Sequence, residues 1–204
     1  MRRATLATVL YQLKVSLKDV KPAVWRRVVV PADFTLFQLH EVIQVVMGWQ
    51  DCHLHDFTIQ RRRYAVPDPG DFDAHETADE RKARLRQVVA PRSKFVYQYD
   101  FGDCWDHVVV VEDALDGDSD VVGLVPVCIG GAGACPPEDS GGPWGYKEKL
   151  RALAKPDDEE GDELREWLGD DFDPAHFDLA AANQHLQQAF RTKPRSKDAP
   201  KKRT

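Results

Sequence analysis

Leu13, Val15 and Leu17 alternate with Lys14, Ser16 and Lys18. A two-residue period of this kind puts one apolar and one polar side on a single strand. The pattern covers Val9 to Leu17, and Val24 to Val30, closed by Pro31, reads as its hairpin partner across Asp19 to Pro22. Strands that are apolar on one side only need a cover, and the next segment supplies one. Thr35 and Gln38 fit a capping box, Phe34 can staple to Leu39, and Leu36, Leu39, Val42, Ile43 and Val46 form the apolar stripe of a helix that Gly48 stops.

Period two then returns. His53, His55, Phe57 and Ile59 share one face of a further strand. Lys94 to Tyr99 and Trp105 to Glu112 are strands flanking an Asp-Phe-Gly-Asp turn, and Leu124 to Val127 is a short one. Between them, residues 65 to 84 hold Pro67, Asp68, Pro69 and Gly70 among many charges, which predicts a mobile surface loop. Helices are expected over Gly145 to Ala154, Glu160 to Leu168 and Leu179 to Phe190, with a turn at Phe172 to Phe177. The order of elements predicts an α+β fold: a mixed, mostly antiparallel sheet, one long helix packed across it, and C-terminal helices. A single domain over residues 1 to 190 is expected, its 157 to 190 part an acidic helical appendage, followed by a disordered tail over 191 to 204.

Charge narrows the possible partners. Residues 191 to 204 carry seven Lys/Arg against one Asp, so the net charge of −6 conceals a body of −12. An acidic body is a poor match for phosphate backbones, and nucleic acid is expected only through the basic tail. The apolar runs are far shorter than the roughly 20 residues of a membrane span. Four cysteines in a chain too large to need disulfide staples, with no export signal at its basic start, predict reduced thiols and a cytoplasmic protein.

Two stretches are richer in aromatics, carboxylates and glycines than packing requires: Tyr97 to His107 (YQYDFGDCWDH) and Cys128 to Tyr146 (CIGGAGACPPEDSGGPWGY). Candidate ligand-binding residues are Tyr99, Asp100, Asp103, Trp105, His107, Glu138, Asp139 and Tyr146. A divalent metal, zinc or manganese, would draw on His53, His55 and His107, with Asp100 and Asp103 at the same sheet end, or on Cys128 and Cys135. Each has a plainer reading. A hairpin aspartate often bonds its own backbone, a strand histidine often only packs, Glu138 and Asp139 can cap the helix that follows, and small buried thiols are common. Cys128 and Cys135 are seven apart, wider than zinc-knuckle spacing. A phosphate loop lacks its Gly-Lys-Ser/Thr, Asp100-Phe-Gly stands without the other kinase signatures, and neither HExxH nor G-x-S-x-G occurs.

Pro22-x-x-Trp-Arg-Arg, Leu36-x-x-Leu-His-x-x-Ile-Gln-x-x-Met-Gly-Trp, His53-Leu-His-Asp-Phe, Tyr97-x-Tyr-Asp-Phe-Gly-Asp-x-Trp-x-His, Cys135-Pro-Pro-Glu-Asp-x-Gly-Gly-x-x-Gly-Tyr, Phe172-Asp-Pro-x-x-Phe-Asp and Asn183 occur in this order. Together they resemble the plasmid Ri open-reading-frame-three-like family from about Tyr11 to Leu186. The resemblance implies an α+β roll with a ubiquitin-like core in proteins carried on plasmids and as passenger genes of insertion elements, some labelled TnpR-type resolvases. The chain has no recognisable resolvase serine, arginine cluster or helix-turn-helix, and Ser140 stands where many relatives have a third cysteine. The leading expectation is an accessory protein of mobile-element origin with a polar pocket for a small ligand or protein partner. A metal-dependent hydrolase or nuclease is the rival, and nucleic-acid binding through the tail the third reading.

Overall fold

A computed structural model describes residues 8–67, 77–117, 124–155, 159–168 and 172–190. The alternating segments become β1 (Thr8–Leu17), β2 (Trp25–Pro31), β6 (Lys94–Tyr99) and β7 (Trp105–Gly117). With β3 (His55–Ile59), β4 (Arg62–Ala65), β5 (Ala78–Asp79) and β8 (Val127–Ala132) they make one eight-stranded sheet in the order β5-β4-β3-β6-β7-β1-β2-β8. Every pairing is antiparallel except β4 with β5. The helices are α1 (Leu36–Met47), the short α2 (Leu85–Val88), α3 (Gly142–Leu153), α4 (Glu159–Leu168) and α5 (Leu179–Ala189). The chain is therefore α+β, and no described helix is long and apolar enough to cross a membrane.

The sheet has two unlike faces, as its alternation demands. Leu13 and Val15 of β1, Phe95 and Tyr97 of β6, and Trp105, Val109 and Val111 of β7 join the apolar stripe of α1 in the core. On the other face Arg27 clamps Glu112 through Nε at 2.6 Å and Nη2 at 3.0 Å, Gln12 donates to the same carboxylate at 2.7 Å, and Lys18 pairs with Asp106 at 2.8 Å. α1 has the expected ends: Thr35 and Gln38 close a capping box, and Gly48 is left-handed (φ 93°), its N–H donating to Gln44. α5 covers the outer edge of β8. The Asn183 side chain donates to the Cys128 carbonyl and accepts its N–H, both at 2.8 Å, so one amide occupies the place of another strand.

Several boundaries move. The stretch expected as loop over 65 to 84 contains β5 and the fully buried Glu80, because Ala78 and Asp79 add to the edge of β4; residues 68–76 lie outside the described ones. The strand expected at Leu124 to Val127 instead runs from Val127 to Ala132. Gly130 and Gly131, read as loop, are held by β2, and Gly131 leaves room for Phe177 and Arg26, since a Cβ there would meet the Phe177 ring at 2.4 Å. α3 starts at Gly142 rather than Gly145. The tail over 191 to 204, and with it the nucleic-acid reading, lies outside the described residues.

Candidate functional site

The register of β3, β6 and β7 sets His55 opposite Tyr99 and Tyr99 opposite Trp105. The segment entering β3 and the turn between β6 and β7 thus meet at one end of the sheet. The backbone there is unusual: Asp51 (φ 55°), Asp100 (φ 58°), Cys104 (φ 57°) and Asp139 (φ 55°) are all left-handed. Aspartate tolerates this conformation better than most residues, but it carries a cost that clusters at functional positions.

The loop from Cys135 to Gly141 folds onto this end through three ties. Trp49 Nε1–H donates to the Pro136 carbonyl at 2.9 Å. Glu138 Oε1 accepts from the Gln50 N–H at 2.9 Å and from the Tyr99 hydroxyl at 3.0 Å. Asp103 Oδ2 accepts the Gly141 N–H at 2.9 Å. This last bond settles the expected cap: Gly141 is the N-cap of α3 and no side chain caps the helix from within, so Glu138 and Asp139 do not serve as one. Gly142 (φ 67°) completes the join, for a Cβ there would lie 2.4 Å from the Asp103 carbonyl oxygen.

These ties leave a specific set of atoms over. Asp100 spends Oδ1 on the N–H groups of Gly102 (2.9 Å) and Asp103 (3.2 Å), and its Oδ2 lies 3.6 Å from His53 Nε2. Glu138 Oε2 is 3.9 Å and Asp139 Oδ1 3.4 Å from the same nitrogen. His53 Nε2 and Glu138 Oε2 are both buried without a hydrogen-bond partner. Cys52 Sγ, beside the Tyr99 hydroxyl at 3.8 Å, stands at the rim within 4.8 Å of the His53 and Glu138 donors. Burial first, then its bonds to Cys52 and Glu138, push the Tyr99 phenol far above its ordinary range, so it stays a neutral donor.

A second cluster, unforeseen from the sequence except for His55, lies deeper. The rings of His40 and His55 stack face to face, centroids 3.4 Å apart and 5° from parallel. His55 Nε2 is 2.9 Å from Glu80 Oε1, and His40 Nε2 is 2.9 Å from Asp51 Oδ1. The Asp51 carboxylate only accepts, so His40 Nε2 carries the ring proton and Nδ1 accepts from the Tyr97 hydroxyl at 2.8 Å, which itself accepts from Gln44 at 2.9 Å. Burial and then the neighbouring His55 lower His40 to about 3, so it is neutral. Although donor atoms of His40, Asp51 and His55 lie within 4.8 Å of one another, stacked rings keep their lone pairs in two parallel planes, so the two imidazoles do not both point at one ion. His40 was legible as buried, lying between Leu36 and Ile43 on the stripe of α1; Asp51 and Glu80 carried no signal.

The remaining expected residues lie elsewhere. His107 is fully buried against Trp49 and Tyr97, its Nδ1–H donating to the Tyr97 carbonyl at 3.2 Å, and burial lowers it to about 4. Trp105 and Tyr146 are also buried, and burial raises the Tyr146 phenol to about 12. Cys128 and Cys135 both face the buried Arg26, and burial pushes their thiols up, that of Cys135 strongly. The metal set expected from the sequence is thus divided: His53 falls in two clusters, one with Asp100 and Asp139 and one with Cys52 and Glu138; His55 is with His40 and Asp51; and among the described residues His107, Cys128 and Cys135 belong to no such cluster. Asp103 is a latch between the loops.

The chain is 41% identical over 175 residues to the uncharacterized protein y4hQ of Sinorhizobium fredii, covering 84% of this chain and 85% of that one. The crystal structure of MM3350, a protein of unknown function from Methanosarcina mazei Go1, shares 38% identity with a TM-score of 0.75, over 85% of this chain and 97% of the other. The family described as plasmid pRiA4b ORF-3-like protein matches residues 9–181, which is most of the chain, and the protein belongs to that family.

Proposed function

We propose that this is a divalent-cation-binding accessory protein whose ion sits between His53 Nε2, Asp100 Oδ2 and Asp139 Oδ1. The observation that carries the proposal is the spacing around His53 Nε2: 3.4 and 3.6 Å to the Asp139 and Asp100 carboxylate oxygens, with all three donors within 4.8 Å of one another. The 3.6 Å contact is too long for a hydrogen bond and the 3.4 Å one is marginal. Donors held at about 2.0–2.2 Å by one tetrahedral ion lie about 3.3–3.6 Å from each other. One imidazole and two carboxylates, with the Glu138 carboxylate and the Cys52 thiol beside the same imidazole, suit zinc or manganese. The ion would also give the buried, partnerless His53 Nε2 a partner and offset the mutual repulsion of the carboxylates.

The Asp139 side chain is 80% exposed. An ion there keeps a side open to solvent, the arrangement of a catalytic rather than a closed structural centre, and this favours metal-dependent hydrolysis as the second reading. The test is elemental analysis of protein made without metal-affinity resin, then dialysed against zinc or manganese. One ion per chain is expected, lost in His53→Ala and in Asp100→Asn. Ion-free protein, or equal occupancy in both variants, refutes the reading.

A further inference from the structure

Asp139 has a second role in the geometry: it also lines a cleft of about 350 Å³ whose other walls are Lys149 of α3 and Glu163, Leu164 and Trp167 of α4. The two helices are fastened together independently of the cleft, since Arg165 pairs with Asp162 and donates at 3.1 Å to the carbonyls of Leu153 and Lys155, closing the end of α3. The side chains of Lys149, Glu163 and Trp167 make no hydrogen bond, ion pair or ring contact among the described residues, and Trp167 is 51% exposed. The fold therefore leaves one ammonium, one carboxylate and one large apolar face unused in a single hollow. A volume at the low end of the roughly 300–1,000 Å³ range of ligand sites suits a small molecule.

We infer that this cleft binds a free α-amino acid with a large apolar side chain. Its carboxylate meets Lys149 and the ion at Asp139, its ammonium meets Glu163, and its side chain lies on Trp167 and Leu164. Charge selects the class. A phosphate ester would face the Asp139 and Glu163 carboxylates, and a simple cation would face Lys149 and the ion, whereas a zwitterion satisfies both signs at no net charge. The inference rests on the proposed cation centre only for the ion's contact with the ligand carboxylate.

The experiment is calorimetric titration of L-leucine into the full-length manganese-loaded protein, with ion content measured on the same samples. One-to-one binding is expected, weakened about tenfold or more by Lys149→Met and by Glu163→Gln, as loss of one charge-assisted bond implies. L-Leucinamide, lacking the carboxylate, and N-acetyl-L-leucine, lacking the ammonium, are expected to bind at least about tenfold more weakly than leucine. Absence of leucine binding by ion-loaded protein overturns this inference and leaves the cation reading standing, as does leucine binding that neither variant weakens. Protein that takes up no ion overturns the cation reading alone, and the two variants then still decide the cleft.

Discussion

Acid should unfold this protein by protonating two histidines that the fold keeps neutral. His107 has an ordinary value of 6.5 and is lowered by burial to about 4; His40 is lowered by burial and by His55 to about 3. Both values are depressed in the folded state, so each group's contribution is fully present above the unfolded value and is lost as pH falls from there toward the folded value. Proton linkage between about pH 7 and about pH 5 then removes about 2 kcal/mol for each ring, about 4 kcal/mol together. That is a large share of the roughly 5–15 kcal/mol that stabilises a typical domain. The assay is urea denaturation followed by tryptophan fluorescence across this range, in wild type and in His107→Phe, which fills the space beside Trp49 with a ring that does not titrate. The variant loses the bond to the Tyr97 carbonyl and is less stable at neutral pH, but it should lose about 2 kcal/mol less on acidification. Equal acid losses in the two proteins would refute the reasoning, because they would mean that His107 takes up its proton without unfolding.

Two further perturbations probe what holds the site together. Asp103→Ala leaves the Gly141 N–H without its 2.9 Å acceptor, and a loss of about 1–2 kcal/mol is expected, with faster amide exchange at residues 140 to 145; unchanged exchange there would show that the latch is idle. Asn183→Ala removes both bonds to Cys128 and uncovers the edge of β8, so a loss of about 1–3 kcal/mol and concentration-dependent association in light scattering are expected. A variant as stable and as monodisperse as wild type would refute that role.

Local physical chemistry decided much of this protein before any tertiary contact formed. The two-residue period of β1, β6 and β7 and the capping box of α1 are read directly from side chains that are neighbours in the chain, and their boundaries fall within a residue or two of expectation except for the longer reach of β7. The density of carboxylates at Asp100, Asp103, Glu138 and Asp139 marked both site loops for the same reason. What the sequence withheld were choices made between distant segments. Whether an aspartate is a latch or a donor depends on which N–H comes within reach: Gly141 takes Asp103, whereas Asp100 satisfies its own turn and keeps one oxygen free. Gly131 reads as a loop residue until Phe177, 46 positions away, lies across it. His53 and His55 share a sequence motif yet part company, because the first precedes the strand and the second is inside it, stacked on a helix histidine. Periodicity reports which side of an element is buried, but the partner across the gap is set by the sheet's register, and that belongs to the assembled fold.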